Sequence, residues 1–472
     1  MQRVRLHADL QPIEPTEADP FDSVKAAHLL ARAGFGGTPA EVARVMSLGP
    51  VDAAYDLLDF PDAPAEEQSK SDVPDLSGIE GYPKTFDERR RNLAGLTPEE
   101  RIRINNQMMA GNREALFATA EWWMKRMASG KYPMQEKLTL FWHGHFTTSA
   151  RDERSAWLMW QQNETHRRHA AGNFRAYVKA ISRDPAMLGY LNNQQNRKGS
   201  PNENYARELM ELFTLGIGNY TEQDIKEAAR AFTGWHHDGE QFVFRRNQHD
   251  TADKTFMRRT GAFGGDEVID IILEQDASAA YIASRVWNFF VADQIKPEHA
   301  ASLGALLREN DYELRPLLIT IFTSKAFYDR AVIGTQIKSP IQLIVGSARM
   351  MGIDLPRRAR ISGALEQMGQ VPFFPPNVKG WPGGRTWINS GTLFVRYNTA
   401  LMLANELDTS KVLEAPSKPG VLVQQWVDRL IQRPIDVDKM NDLTAAAGSA
   451  VTKDSAKRLI ELIVSMPEYQ LC

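Results

Sequence analysis

Apolar residues recur every three to four positions through most of this chain, the spacing of helices that bury one face. DSVKAAHLLARAGFGGTPAEVARVMSLGPVDAAYDLLDF splits into two such pieces around Gly36, Gly37, Thr38 and Pro39, which predicts a helical hairpin. NREALFATAEWWMKRMA and MQEKLTLFWH follow, parted by a turn at Gly130 and Pro133, and the pattern resumes in DEVIDIILEQ, AAYIASRVWNFFVAD, LRPLLITIFTSKAFY and SPIQLIVGSARMMG. In GEQFVFRRNQHDTADKTFMRRTGAFGG the period shortens: Phe242 and Phe244 alternate with polar neighbours before a polar turn, which predicts a small β-hairpin over 241–258. Between about 61 and 100 Pro, Asp, Glu, Ser and Lys dominate with weak periodicity, the mark of a polar surface excursion. The fold expected is mainly α: after a polar lead over 1–20, one large single-domain, bundle-like helical array over 21–472, without a fixed-period repeat.

Composition narrows the chemistry. With 43% apolar and 24% charged residues, 472 residues suffice for a large core. A formal net charge of −3 offers no general attraction for nucleic acid, which is not expected as a partner. The one cysteine, Cys472, argues against an intrachain disulfide, a cysteine-ligated zinc site and a buried thiol nucleophile, so a metal would need His and carboxylate ligands. No apolar run reaches the roughly 18 residues of a membrane span, and the opening MQRVRLHADLQPIEPTEADP lacks a secretory leader, so a cytoplasmic location is the default expectation.

Four stretches could carry chemistry. In SPNENYARELMELFTLG, Pro201 and Asn202 can start a helix and Gly216 can end it. At about 100° per residue, Tyr205, Leu209, Leu212 and Phe213 form its core stripe. Asn204, Glu208 and Glu211 then run along the border of that stripe, while Glu203 and Arg207 can pair with each other. A carboxylate at a core border must be paired, protonated or metal-bound, so a catalytic or ligating role stands beside a structural ion pair. In FWHGHFTTS, His143 and His145 share a face only if the backbone is extended; on a continuing helix they diverge by about 160°. If Gly144 ends the helix, His143 becomes a C-terminal cap; in an extended turn both histidines can instead join Glu208 or Glu211 in a mixed His/carboxylate site for a divalent transition metal.

TEQDIKEAARAFTGWHHDG carries a capping box at Thr221 and Asp224, then Gly234, which throws Trp235, His236 and His237 into a loop. His249 and Asp250 fall near the hairpin turn, opposite Lys254. Last, PPNVKGWPGGRTWINSGTLFVRYN combines Asn377, Lys379, Trp381, Trp387, Arg385 and Arg396 in a stiff loop, suited to an anionic or sugar-like ligand and equally to plugging a helical core. Phosphate-loop, dinucleotide-fingerprint, nucleophile-elbow and H-E-x-x-H motifs are all absent.

These same stretches, with HLLARAGFGGTPAEV, HDTADKTF, SPIQLIVG and the ending MPEYQLC, resemble in order and almost end to end the bacterial "domain of unknown function 1800" family. The resemblance implies one large, mainly helical domain and supplies no reaction. It also implies frequent export and a neighbouring phosphatase- or sulfatase-like protein as partner, so an exported or periplasmic location stands beside the cytoplasmic default. Phe213 stands where many relatives carry His, which rules out a site that needs that ligand here.

The reading favoured is a hydrolase-like enzyme with Glu208, Glu211, His145 and Arg207 as catalytic candidates and His143, His145 and Glu208 as metal-ligand candidates. Asn204, Trp235, His249, Asp250, Lys254, Asn377, Lys379, Trp381, Trp387 and Arg396 are its ligand-binding candidates. The rivals are a non-catalytic helical partner or scaffold of the phosphatase-like neighbour, and a carbohydrate or cell-wall binding protein using Trp381 and Trp387.

Overall fold

The computed structural model describes residues 5–61, 73–82, 86–408, 418–449 and 452–472. Part of the 61–100 excursion, namely 62–72 and 83–85, lies outside the described residues. The architecture is mainly α, and among the described residues the only sheets are two small antiparallel ones of two strands each. The predicted helical hairpin is present as Ser23–Ala33 and Pro39–Leu58, the second helix capped by Thr38 and Glu41 and kinked at Gly49. The N-terminal lead is not a detached tail. Leu10 is fully buried, Ile13 N donates to Thr323 O, and Pro12 bridges to Ser324.

Two buried apolar clusters organise the chain. One gathers Leu10, the buried faces of the helices Ser23–Ala33 and Pro39–Leu58 with Phe60, Phe174 to Ile181, Tyr205 to Leu215 and the helices Gly265–Leu273, Asp276–Phe290 and Leu314–Thr323. The other is built from Pro98–Ser129, Pro340–Met351, Arg358–Met368 and the helices from Ser390 onward. The helix Pro133–His145 feeds both, Met134, Leu138, Phe141 and Trp142 going to the first and Leu140 to the second.

A helix buried on every side must satisfy its polar residues inside the protein. Glu136 does so with a bidentate pair from Arg167 at 2.7 and 2.9 Å, Arg126 at 2.9 Å and Trp123 Nε1 at 2.8 Å. Burial pushes its carboxyl up, but the two guanidiniums outweigh this and hold it below the ordinary range. Lys137 donates to Gly34 O at 2.8 Å, and burial lowers its ammonium to about 7.

Three local expectations change. The helix does not stop at Gly144; it runs through His145 and is capped at Phe146, so the two histidines diverge. The single hairpin over 241–258 is in fact two: β1 (Trp235–His237) pairs with β2 (Phe242–Phe244), and β3 (Lys254–Phe256) with β4 (Arg259–Gly261). Trp235 to His237 are therefore strand rather than loop, because Phe242 finds its partner upstream across the Asp238–Gln241 turn. The helix of the ENYARELMELF stretch is α only from Asn204 to Glu208 and widens to a π-helix over Leu209–Thr214.

Candidate active-site cleft

The residues singled out by sequence are placed in several separate surroundings. His143 is 1% exposed; its Nε2 accepts from Phe373 N at 3.2 Å, and Trp123, Phe373, His166 and Trp381 surround its ring. His145, 2% exposed, donates Nε2–H to Phe213 O at 2.9 Å, a carbonyl near the end of the π-helix, and its Nδ1 is buried without a partner. His145 thus caps a helix end, but that of another helix than its own. Burial lowers both imidazoles to about 3, so both stay neutral.

Glu208 is half-buried; burial and the neighbouring Glu211 raise its carboxyl, while Lys379 pulls the other way. Glu211 accepts from Tyr220 at 3.1 Å. Arg207 faces outward, joined to Glu203 and Glu222, and Asn204 is exposed beside it. Among the described residues no group of three potential ligands forms from His143, His145 and Glu208; the one such group is His7, Asp9 and His299.

The other candidates are tied into the architecture. Lys254 Nζ donates to Asp250 O and Ala252 O, Asp250 accepts from Arg230, and His249 Nδ1 bonds Thr233 O, so this loop satisfies itself. Trp235 is buried with Arg183 stacked 4.7 Å over it. Arg396 is fully buried and donates to Gln470 and to Lys338 O. Trp387 is buried, Asn377 and Lys379 are exposed, and half-buried Trp381 leans on His143 with an unpartnered Nε1. Gly380 lets this loop touch the helix end: a Cβ there would lie 2.2 Å from Gly144 O. The loop closes over the helix end, as a plug does.

A cleft of about 810 Å³ lies elsewhere. Arg89, Arg113, Arg151 and Arg154 bring positive charge to its walls, and Phe117, Trp157 and Phe374 bring flat apolar faces. Glu153, Glu240 and Glu366 line it too, as does His237. Glu153 ends the short helix Ala150–Glu153 that Ser149 caps. Burial, with Asp184 adding negative charge nearby, pushes its carboxyl up to about 8, so it is a proton-bearing acid at neutral pH. Asp184 is itself raised to about 7 by burial, although it accepts from Gln162 at 2.8 Å and from Met187 N at 3.1 Å.

Gly189 makes room for this acid. A Cβ there would lie 2.3 Å from Glu153 Oε2 and 3.7 Å from His237 Nε2, so both groups converge on one bare patch of the helix Pro185–Tyr190. The tautomer of His237 is set by its neighbours: Gly239 N donates to Nδ1 at 3.1 Å, so Nε2 carries the proton toward Gln194 Oε1 at 2.6 Å. With both nitrogens engaged, His237 shapes the wall rather than taking up a proton.

The comparison with known proteins follows this architecture almost from end to end: residues 28–471 match the model of the family described as proteins of unknown function, DUF1800. The chain belongs to the DUF1800 family. No curated protein and no solved structure matches it. The DUF1800 chain therefore has to be read from its own geometry. Glu153 is hidden in the sequence because ARDERSAW looks like a solvated charge run; the Ser149 cap marks the start of a short helix there and says nothing of a cleft.

Proposed function

We propose that this DUF1800 protein is a hydrolase-type acid–base enzyme whose reaction takes place in the Glu153 cleft, on an anionic substrate with a flat apolar part. The observation that carries this reading is a carboxyl raised to about 8 at the wall of a cavity of about 810 Å³. A carboxylic acid that keeps its proton at pH 7 can donate it to a leaving group. Glu240, on the turn between β1 and β2, supplies a second carboxylate to the same cleft and is the base in this scheme. Glu240 takes a proton from water as the water oxygen bonds to the electrophilic centre. The bond to the leaving group breaks and that group receives the Glu153 proton. Exchange with solvent then restores both carboxyls. The arginines neutralise the substrate anion and the aromatic walls hold its apolar part.

A second reading, a non-catalytic helical partner of a phosphatase- or sulfatase-like protein, draws on the closed, fully packed settings of His143 and His145. Turnover separates the two. Assayed on a panel of anionic aryl esters, phosphate esters, sulfate esters and glycosides, the full chain is expected to cleave at least one class. Glu153→Gln is expected to lower kcat by about 100-fold or more with an unchanged circular dichroism spectrum. Turnover that survives Glu153→Gln intact contradicts the cleft assignment, and inertness across the panel favours the partner reading.

A further inference from the structure

The N-terminal lead brings a second chemistry that shares no residue with the cleft. His7 and Asp9, on and beside the 3₁₀ turn Ala8–Leu10, meet His299 of the helix Pro297–Glu309. Asp9 Oδ2 lies 3.1 Å from His299 Nε2 and 3.8 Å from His7 Nδ1, and one ligand atom from each residue falls within 4.8 Å of the other two. From these distances we infer that His7, Asp9 and His299 form a binding site for a divalent transition metal, zinc in the first place, which clips the N-terminal lead onto the helical body.

Ligand chemistry supports the choice. Two imidazoles and one carboxylate suit zinc and its neighbours in the first transition row rather than calcium or magnesium, which take oxygen. Bonds of about 2.0–2.2 Å in a tetrahedral site place ligand atoms roughly 3.3 Å apart, so the Asp9–His299 edge already has its length. Only His7 has to close in: its Nδ1 accepts from Asp9 N at 3.2 Å and its ring lies 4.9 Å from that of His299, so the 37% exposed side chain exchanges this cap bond for the metal bond. His299 is the rigid ligand: it is 2% exposed, packed 5.4 Å from Trp287, and of its two nitrogens only Nε2 has a partner. The backbone around Asp9 is fixed as well, since His7 N donates to Ser302 Oγ, Ala326 N to Asp9 O and Lys325 N to Gln11 O.

Lys296 already marks the place of a cation, its Nζ 3.3 Å from Asp9 Oδ2 on a side chain that is 63% exposed. An ion with two imidazole bonds as well as the carboxylate displaces it, and the ammonium withdraws into solvent. Three protein ligands leave a fourth position for water, an open site rather than a sealed structural one.

The test is titration of the metal-stripped full chain with zinc chloride by calorimetry, with cobalt(II) absorption reporting coordination and the thermal midpoint reporting linkage to folding. One zinc per chain is expected, with a raised thermal midpoint. Affinity should drop about tenfold or more in His7→Ala and in Asp9→Asn, both at partly exposed positions that leave the core intact, and should rise in Lys296→Met. His299→Ala adds the buried ligand where that variant folds. Absence of stoichiometric binding, or zinc binding that His7→Ala and Asp9→Asn leave unchanged, overturns the site.

Discussion

Glu153 shows how a single residue acquires chemistry from its surroundings. Exposed, its carboxyl would be ionised at neutral pH; half-buried against Gly189 with Asp184 nearby, it keeps its proton up to about 8. The proton donor is lost as pH rises through that value, so the alkaline limb of the kcat/KM profile is expected near 8 and should vanish in Glu153→Gln. Gly189→Ala tests the placement separately. Its Cβ would displace the Glu153 carboxyl while helix propensity improves by about 0.5–1 kcal/mol, so kcat should fall with the thermal midpoint unchanged or higher. A fall in both together would place Gly189 in the fold rather than in the site.

At the scale of an element, the helix Pro133–His145 and the loop that covers its end behave in opposite ways toward a methyl group. Gly144 is helical, and a Cβ there would meet Trp381 at an ordinary 3.7 Å, so Gly144→Ala should be neutral or slightly stabilising in urea unfolding. Gly380 has φ of 79° and would place a Cβ 2.2 Å from Gly144 O, so Gly380→Ala should destabilise by a few kcal/mol, about 1–3 from backbone strain alone. Equal effects of the two would show that the loop does not close on the helix as described. The same contrast explains what the sequence could tell. Periodicity and caps made the helices legible, including the Thr221–Asp224 box, because those signals are local. Gly144 misled because glycine stops a helix only where the chain has somewhere else to go; here burial on all sides keeps the helix going through His145. The strand partner of Phe242 lay upstream, and the widening at Leu209 depends on what caps the freed carbonyls, His145 on Phe213 O and Tyr281 on Leu212 O. The cleft escaped notice for a similar reason: Glu153, His237, Arg113 and Phe374 come from four distant segments, and no local pattern joins them.

Across the whole molecule, buried titratable groups set opposing pH trends. His143 and His145, lowered to about 3, and His28 and His166, held well below the usual imidazole range by burial, are neutral when folded and protonate near 6.5 when unfolded. The unfolded chain binds more protons, so their contribution to stability falls as pH drops below 6.5, by up to about 1.4 kcal/mol per pH unit for each group. Glu153 and Asp184 act in reverse: the folded chain holds their protons, so stability falls as pH rises from about 4 toward 8 and levels off above. Between pH 4 and 6.5 the four imidazoles outweigh the two carboxyls, so stability falls in acid; Lys137 and Lys338, lowered by burial to about 7 and about 8, add stability as pH rises above those values and oppose the carboxyls there. His145→Gln, which cannot ionise and keeps a donor for Phe213 O, should flatten the fall of the urea midpoint between pH 6.5 and 4; an unchanged slope would contradict the neutral burial of His145.

A protonated acid in the cleft is visible by infrared titration of the full chain against Glu153→Gln. A carboxylic-acid band in the wild-type minus variant difference is expected to persist at pH 7 and to disappear around pH 8. Loss of that band by about pH 5, the range of an ordinary exposed glutamate, would contradict it.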